Sequence, residues 1–194
     1  MANQPVDRST PSAVQLVLVV WLVLLTVVVT VLYTRASAEI AFTPNGFEHP
    51  VVRLTGAMPD PQVGGQTFPR SNVVAGIQFM DENGDEMGGL GTILEDRRAM
   101  MLCFDHATAE AVCLTRFGEN ITFSIMEPPE DGAEVGRTGP ERFTFGVLPD
   151  EGLSYLRLLD REGRVRIRME VDSEGRPVVE TLDENGAVLF SSGG

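Results

Sequence analysis

Two hydrophobic rhythms divide this chain. From Ala13 to Tyr33 the residues are apolar almost without interruption; only Gln15, Thr26 and Thr30 are polar, and no charge falls between Arg8 and Arg35. From about Asn72 onward the apolar residues come in short runs parted by turn-forming residues. The first rhythm predicts a helix spanning roughly 30 Å at about 1.5 Å per residue, the thickness of a hydrocarbon core. Its many valines disfavour a helix in water. In lipid the backbone must satisfy its own hydrogen bonds, so the segment is helical there regardless. Tyr33 stands where an interfacial aromatic belongs.

Ala36-Ser37-Ala38 has the form of a signal-peptidase site. The apolar run is nevertheless longer than the roughly 7–15 residues of a signal peptide's core, which predicts a retained anchor. Arg8 and Arg35 flank the helix almost evenly, and the large acidic part that follows is expected outside the cytoplasm of a bacterial inner membrane. Gln15, Thr26 and Thr30 fall near one helical face with Val19 and Leu22. The simpler account is that the threonine hydroxyls bond back to their own helix. The sharper one is a face that packs on another membrane helix.

The organisation that follows is a short polar tail (1–12), the membrane helix (13–33), a proline-rich extended linker or docking segment (34–70) and an all-β domain (71–194). The linker holds Pro44, Pro50, Pro59, Pro61 and Pro69, too dense a spacing for a helix. Val51, Val52 and Leu54 suit one edge strand. Beyond it, ten strands are predicted: Val73–Met80, Met87–Leu94, Met100–Asp105, Ala111–Phe117, Ile121–Met126, Arg142–Leu148, Leu153–Leu159, Arg164–Val171, Pro177–Leu182 and Ala187–Phe190. Alternation is clearest from Arg164 to Met169, which sets Val165, Ile167 and Met169 against three arginines. Asp160-Arg161-Glu162-Gly163, Asp172-Ser173-Glu174-Gly175 and Asp183-Glu184-Asn185-Gly186 are turns, with Asp81-Glu82-Asn83-Gly84 as an earlier copy. A repeated strand–turn–strand unit predicts an antiparallel meander, arranged as a sandwich, a barrel or a rolled sheet. Glu127 to Pro140 interrupts it with an acidic loop.

Charge narrows the function. Fifteen arginines and no lysine face 28 acidic residues, a net charge of -13. That excludes a nucleic-acid binder, which needs a basic face. Two cysteines cannot make a disulfide scaffold or a four-cysteine zinc site, and two histidines leave little material for metal or acid–base chemistry. Cys103 and Cys113 fall on successive strands of one hairpin, either bonded or as two buried thiols. Asp81, Asn83 and Asp85 have the alternating spacing of a calcium loop. The sixth and twelfth positions are Glu86 and Thr92 where such a loop needs Gly and Glu, so a hairpin turn is the better reading. Gly88-Gly89-Leu90-Gly91 lacks the helix a phosphate loop requires and suits a bulged or closely packed strand. The arginine stripe Arg157, Arg164, Arg166 and Arg168 lies near Glu180 and Glu184 under hairpin pairing and is expected to pair across strands rather than to form an anion site. Asn120-Ile121-Thr122 is a glycosylation sequon, which matters only in a secretory pathway. His49 and His106 are far apart in the chain, and no nucleophile–base or metal-ligand motif is present. No enzymatic activity and no cofactor are expected.

The arrangement of one N-terminal helix, a linker and a β domain with Phe79-Met80-Asp81-Glu82-Asn83-Gly84-Asp85-Glu86 followed by Gly88-Gly89-Leu90 resembles uncharacterised bacterial single-pass envelope proteins. The resemblance covers about residues 72–190 and implies a fold but no activity. The linker carries Phe42, Phe47 and Phe68, too apolar to stay solvated. With the helix face it predicts contact with other subunits of an integral membrane complex, in addition to the lipid bilayer. A non-enzymatic accessory subunit is therefore the leading expectation, with photosynthetic reaction-centre, light-harvesting or respiratory assemblies as the type to test. The alternative is a free-standing envelope protein that binds a ligand or catalyses a reaction through its β domain.

Overall fold

A computed structural model describes residues 13–36, 39–93 and 99–192. The polar tail 1–12, the Ser37-Ala38 end of the cleavage-like site and the strand end proposed at Leu94 lie outside the described residues. Two units emerge, the helix up to Glu39 and a compact unit from Ile40 onward.

The helix α1 runs from Ala13 to Ala36, a turn beyond the apolar run. Its stretch Val14–Tyr33 is long and apolar enough to cross a membrane by length and composition, and none of that stretch is buried by protein.

The second unit is almost entirely antiparallel β. In chain order its strands are β1 (Glu39–Phe42), β2 (Val52–Thr55), β3 (Gln62–Val63), β4 (Gln66–Thr67), β5 (Val74–Met80), β6 (Glu86–Ile93), β7 (Ala99–Asp105), β8 (Glu110–Phe117), β9 (Asn120–Met126), β10 (Glu141–Leu148), β11 (Leu153–Leu159), β12 (Val165–Val171), β13 (Pro177–Leu182) and β14 (Val188–Ser192). Twelve of them form one sheet in sequence order, with β3 and β4 as a separate small hairpin. The ten expected strands are all present within two residues of their expected ends. Neither a second large sheet nor a neighbour relation between β1 and β14 occurs in the strand order of the described residues.

The linker expectation needs correction. Residues 40–70 belong to the compact unit, carrying β1 to β4. Prolines there exclude helix without excluding folding, because β turns and short edge strands tolerate them. The later part of this segment, a strap over residues 56–70, is tied to the sheet by hydrogen bonds: the Met58 amide donates to the Val74 carbonyl (2.7 Å). The Asp85 carboxylate accepts from the amides of Gly64 and Gly65 (2.9 and 3.0 Å) and from Gln62 Nε2 (3.2 Å).

The repeat is real and local in origin. In the turn at Asp160, the Asp160 carboxylate accepts from the amides of Glu162 and Arg164 (3.1 and 3.0 Å), and the Gly163 amide donates to the Asp160 carbonyl (3.1 Å). Asp81, Asp172 and Asp183 repeat this pattern. Gly163 sits at φ 76°, a conformation that costs a residue with a Cβ.

Paired residues of an antiparallel ladder share a face, and successive residues alternate. The registers therefore sort the sheet into two faces. One rung of the first face reads Arg53, Gln78, Gly89, Cys103, Cys113, Ser124, Thr144, Arg157, Arg168, Glu180, Ser191. The neighbouring rung of the second reads Leu54, Ile77, Leu90, Leu102, Leu114, Phe123, Phe145, Leu156, Met169, Val179. The core is small and sits on the polar face: Met80, Ala99, Cys103, Leu182, Thr55, Gln78 and Thr144 are buried.

Candidate functional site

The polar face closes on itself through a chain of hydrogen bonds and ion pairs. Arg53 donates to the Gln78 side-chain carbonyl (3.1 Å), and the Gln78 amide donates to Glu86 (3.1 Å). Arg70, from the strap, forks onto both oxygens of Glu86. Further along, Ser124 donates to Glu141, and Thr144 lies 3.5 Å from both Ser124 Oγ and the Tyr155 hydroxyl. Arg157 pairs with Glu170 (2.7 Å) and Arg168 with Glu180 (2.6 Å).

The expected arginine stripe is thus neutralised across strands, as ladder pairing favours. Glu180 is one partner. Arg164 and Arg166 take Asp160 rather than a direct bond to Glu184. Open to solvent as they are, such pairs order the face more than they stabilise it.

Cys103 and Cys113 are direct ladder partners with Cα atoms 4.2 Å apart, and they form a disulfide on this face. Next to it lies a cavity of about 120 Å³, lined by Met58, Arg70, Glu86, Gly89, Gly91, Cys103, Asp105 and Glu110 among others. Its floor needs glycine: a Cβ on Gly91 would stand 2.4 Å from the Val74 side chain, and one on Gly89 2.7 Å from the Ile77 carbonyl oxygen. The Gly-rich strand is closely packed, as expected from the sequence. Burial, and then the negative charges of Glu86 and Glu110, push the Asp105 carboxyl up to about 7 against the pull of Arg70. This cluster was not legible in the sequence. Its members come from the strap and three strands, and a bulge between Phe79 and Met80 brings Glu86 onto the polar face.

The other candidate positions fall apart. Asp81, Asn83 and Asp85 form a turn whose carboxylates are committed to backbone amides and Gln62, not to a common point where an ion could sit. Among the described residues no group of three or more His, Cys, Asp or Glu side chains could hold a metal. His106 Nε2 lies 3.1 Å from the Met126 carbonyl oxygen, and the His49 ring packs under Gly84. On the helix, the Thr26 hydroxyl donates to the Leu22 carbonyl (2.8 Å), the simpler of the two accounts of that residue. Gln15 and Thr30 are exposed on the same helix. Phe42 and Phe47 are exposed and Phe68 half-buried.

The second face of the sheet is the larger feature. Its large side chains stay open to solvent: Leu114 is 43% exposed, Phe104 53% and Met169 47%. Phe123, Phe143 and Phe145 form an aromatic cluster at its centre, with centroids 5.0 to 6.3 Å apart. Along the ladders, Arg116 is the one charged residue placed on this face among the described residues. No family model matches this chain, and no curated protein matches it.

Proposed function

We propose that this chain is a membrane-anchored, non-enzymatic accessory subunit that enters a protein assembly through the apolar face of its sheet. The observation that carries this reading is that face: large, nearly uncharged and, among the described residues, without a second layer, in a chain of net charge -13. Contiguous apolar patches beyond a few hundred Å² mark interaction surfaces in soluble proteins. The apolar helix acts as a retained anchor in a bacterial inner membrane. The bonded Cys103–Cys113 pair supports an oxidising compartment for the β unit, on the extracytoplasmic side. The acid-rich turns and the paired polar face stay in water. Photosynthetic and respiratory membrane assemblies are the first to search.

Extraction in mild detergent followed by native electrophoresis and mass spectrometry tests this. The chain should migrate in a particle larger than its own 21.1 kDa. Migration as a lone chain overturns the proposal. Carbonate-resistant membrane association supports the anchor, whereas a soluble form beginning at Glu39 identifies a cleaved signal peptide instead.

The cavity beside Asp105 favours a second reading, a free-standing envelope protein that takes a small ligand there. That reading predicts a lone chain whose ligand binding is lost in Glu86→Gln and kept in Leu114→Glu.

A further inference from the structure

We infer that the apolar face of the sheet is the contact surface for a second copy of this same chain, the two sheets stacking face to face across a two-fold axis. The inference rests on the accessory-subunit reading of that face as an interface and names its first occupant.

Layer count is the first argument. A sheet with one apolar face is stable when another layer covers it, and stacked sheets lie about 10 Å apart with interdigitating side chains. This chain supplies twelve strands in one sheet and spends its few buried residues on the polar face. The sandwich that the strand pattern suggests can then form between chains rather than within one.

Area is the second. With strands roughly 4.8 Å apart and about 3.4 Å per residue, the sheet face measures on the order of 1,000 Å². A stable specific interface needs about 800 Å² per partner. One such face is large enough.

Charge selects the occupant. Two chains of net charge -13 repel across any surface that carries its share of carboxylates. Among the described residues the ladders place their carboxylates on the polar face and, of the charged residues, only Arg116 on the apolar face. Two copies can meet there without opposing like charges at the centre. An anionic lipid surface would repel the chain. A strongly charged protein surface would leave its charges without partners on this face. A second copy matches in polarity and extent by symmetry, because each contact made by one chain is returned by the other. A common anchor in one membrane would also hold the copies close and raise their effective concentration.

Sedimentation equilibrium of the full chain in density-matched non-ionic detergent counts chains per particle. We expect two for the unmodified chain and one for Leu114→Glu and for Met169→Glu, with strand circular dichroism retained. Both side chains are exposed in the single chain, so the new charge costs its fold little. Arg161→Glu, which makes an exposed turn two units more negative, a larger charge change than in either face variant, should still give two. A single chain per particle for the unmodified protein overturns the proposal. So do two chains in both face variants, which would move the contact elsewhere. If either variant loses its strand signal, hydroxyl-radical footprinting of the unmodified chain decides. Met100, Phe104 and Met169 should oxidise more slowly in the two-chain particle than in the diluted single chain, and equal rates overturn the pairing. Shielding of these residues in a single chain only within lipid nanodiscs assigns the face to lipid. One copy inside a larger membrane particle overturns the pairing and keeps the accessory-subunit reading. A lone chain with its face open to oxidation overturns both.

Discussion

On the polar face of the sheet Gln78 is 2% exposed and Thr144 6%, while on the opposite face Leu114 and Phe145 each keep 43% of their surface. In a self-sufficient domain the order is reversed, since apolar side chains gain by leaving water and polar ones must find partners when they do. The difference has two sources. Along β6 the polar face carries Gly89 and Gly91 where larger side chains would stand, its long polar side chains bond to one another, and the strap 56–70 adds cover over β5 and β6. Nothing in the chain plays that part for the apolar face among the described residues. The polar face therefore supplies the internal cohesion of the unit, through a disulfide and a network of paired groups. Among the described residues the apolar face has no such cover, and it is the surface proposed above for an external contact.

That contrast can be broken most directly at the disulfide. Replacing Cys103 and Cys113 together by Ala should cost about 2–3 kcal/mol, the chain-entropy value for closing so short a loop. Urea unfolding of the full chain in detergent micelles measures it, and an unchanged midpoint would show that the polar face does not hold the unit together. Gln78→Leu comes next. It swaps a buried amide for a similar apolar volume but removes one hydrogen bond from each of Arg53 and Glu86, at about 1–3 kcal/mol in all.

The pH dependence of stability sharpens the same point. In the folded chain Asp105 is raised from 3.8 to about 7, so the folded state keeps a proton that the unfolded chain has already released. Its contribution to stability is undiminished below the ordinary carboxylate range, falls as pH rises toward about 7, and is level beyond. Asp105→Asn should remove this fall and be the more stable protein at pH 8, with little difference at pH 4, as read by melting temperature. The turn aspartates act with the opposite sign. Hydrogen bonds from the Arg176 backbone and side chain hold Asp172 below its ordinary value, and those from the Ala187 and Asn185 amides do the same for Asp183. Their stabilisation is present above the ordinary carboxylate range and is lost as pH falls through their lowered values. The smallest effect belongs to the turn glycines: Gly163→Val, Gly175→Val and Gly186→Val should each lower stability by about 1 kcal/mol, because all three need positive φ. If all three melt like the unmodified chain, the hairpin-repeat account fails.

Much of the fold was legible because it is local. The period-2 alternation from Arg164 to Met169, and the aspartate and glycine of each turn, act over four or five residues, and the ten strands fell where these signals put them. The pairing of Cys103 with Cys113 depended on a one-residue choice of loop length, which the register between β7 and β8 settled. The strap was misread because proline density reports only which backbone conformations are excluded. That residues 56–70 fold back onto β5 and β6 depends on Arg70 reaching Glu86 and on Asp85 reaching Gly64 and Gly65, contacts across 16 to 21 residues of chain.

By itself, then, the sequence determined an apolar helix, a string of hairpins, an acidic surface and the alternation that gives each strand one apolar side. Those properties follow from side-chain chemistry read over a few residues. Tertiary structure decided that all the apolar sides face one way on a single sheet of twelve strands, that the polar side is the buried one, and that Asp105 sits among Glu86, Glu110 and Arg70. The reason is physical. Alternation says that a strand has two faces but not what lies against either, because burial belongs to the neighbours that long-range pairing brings together.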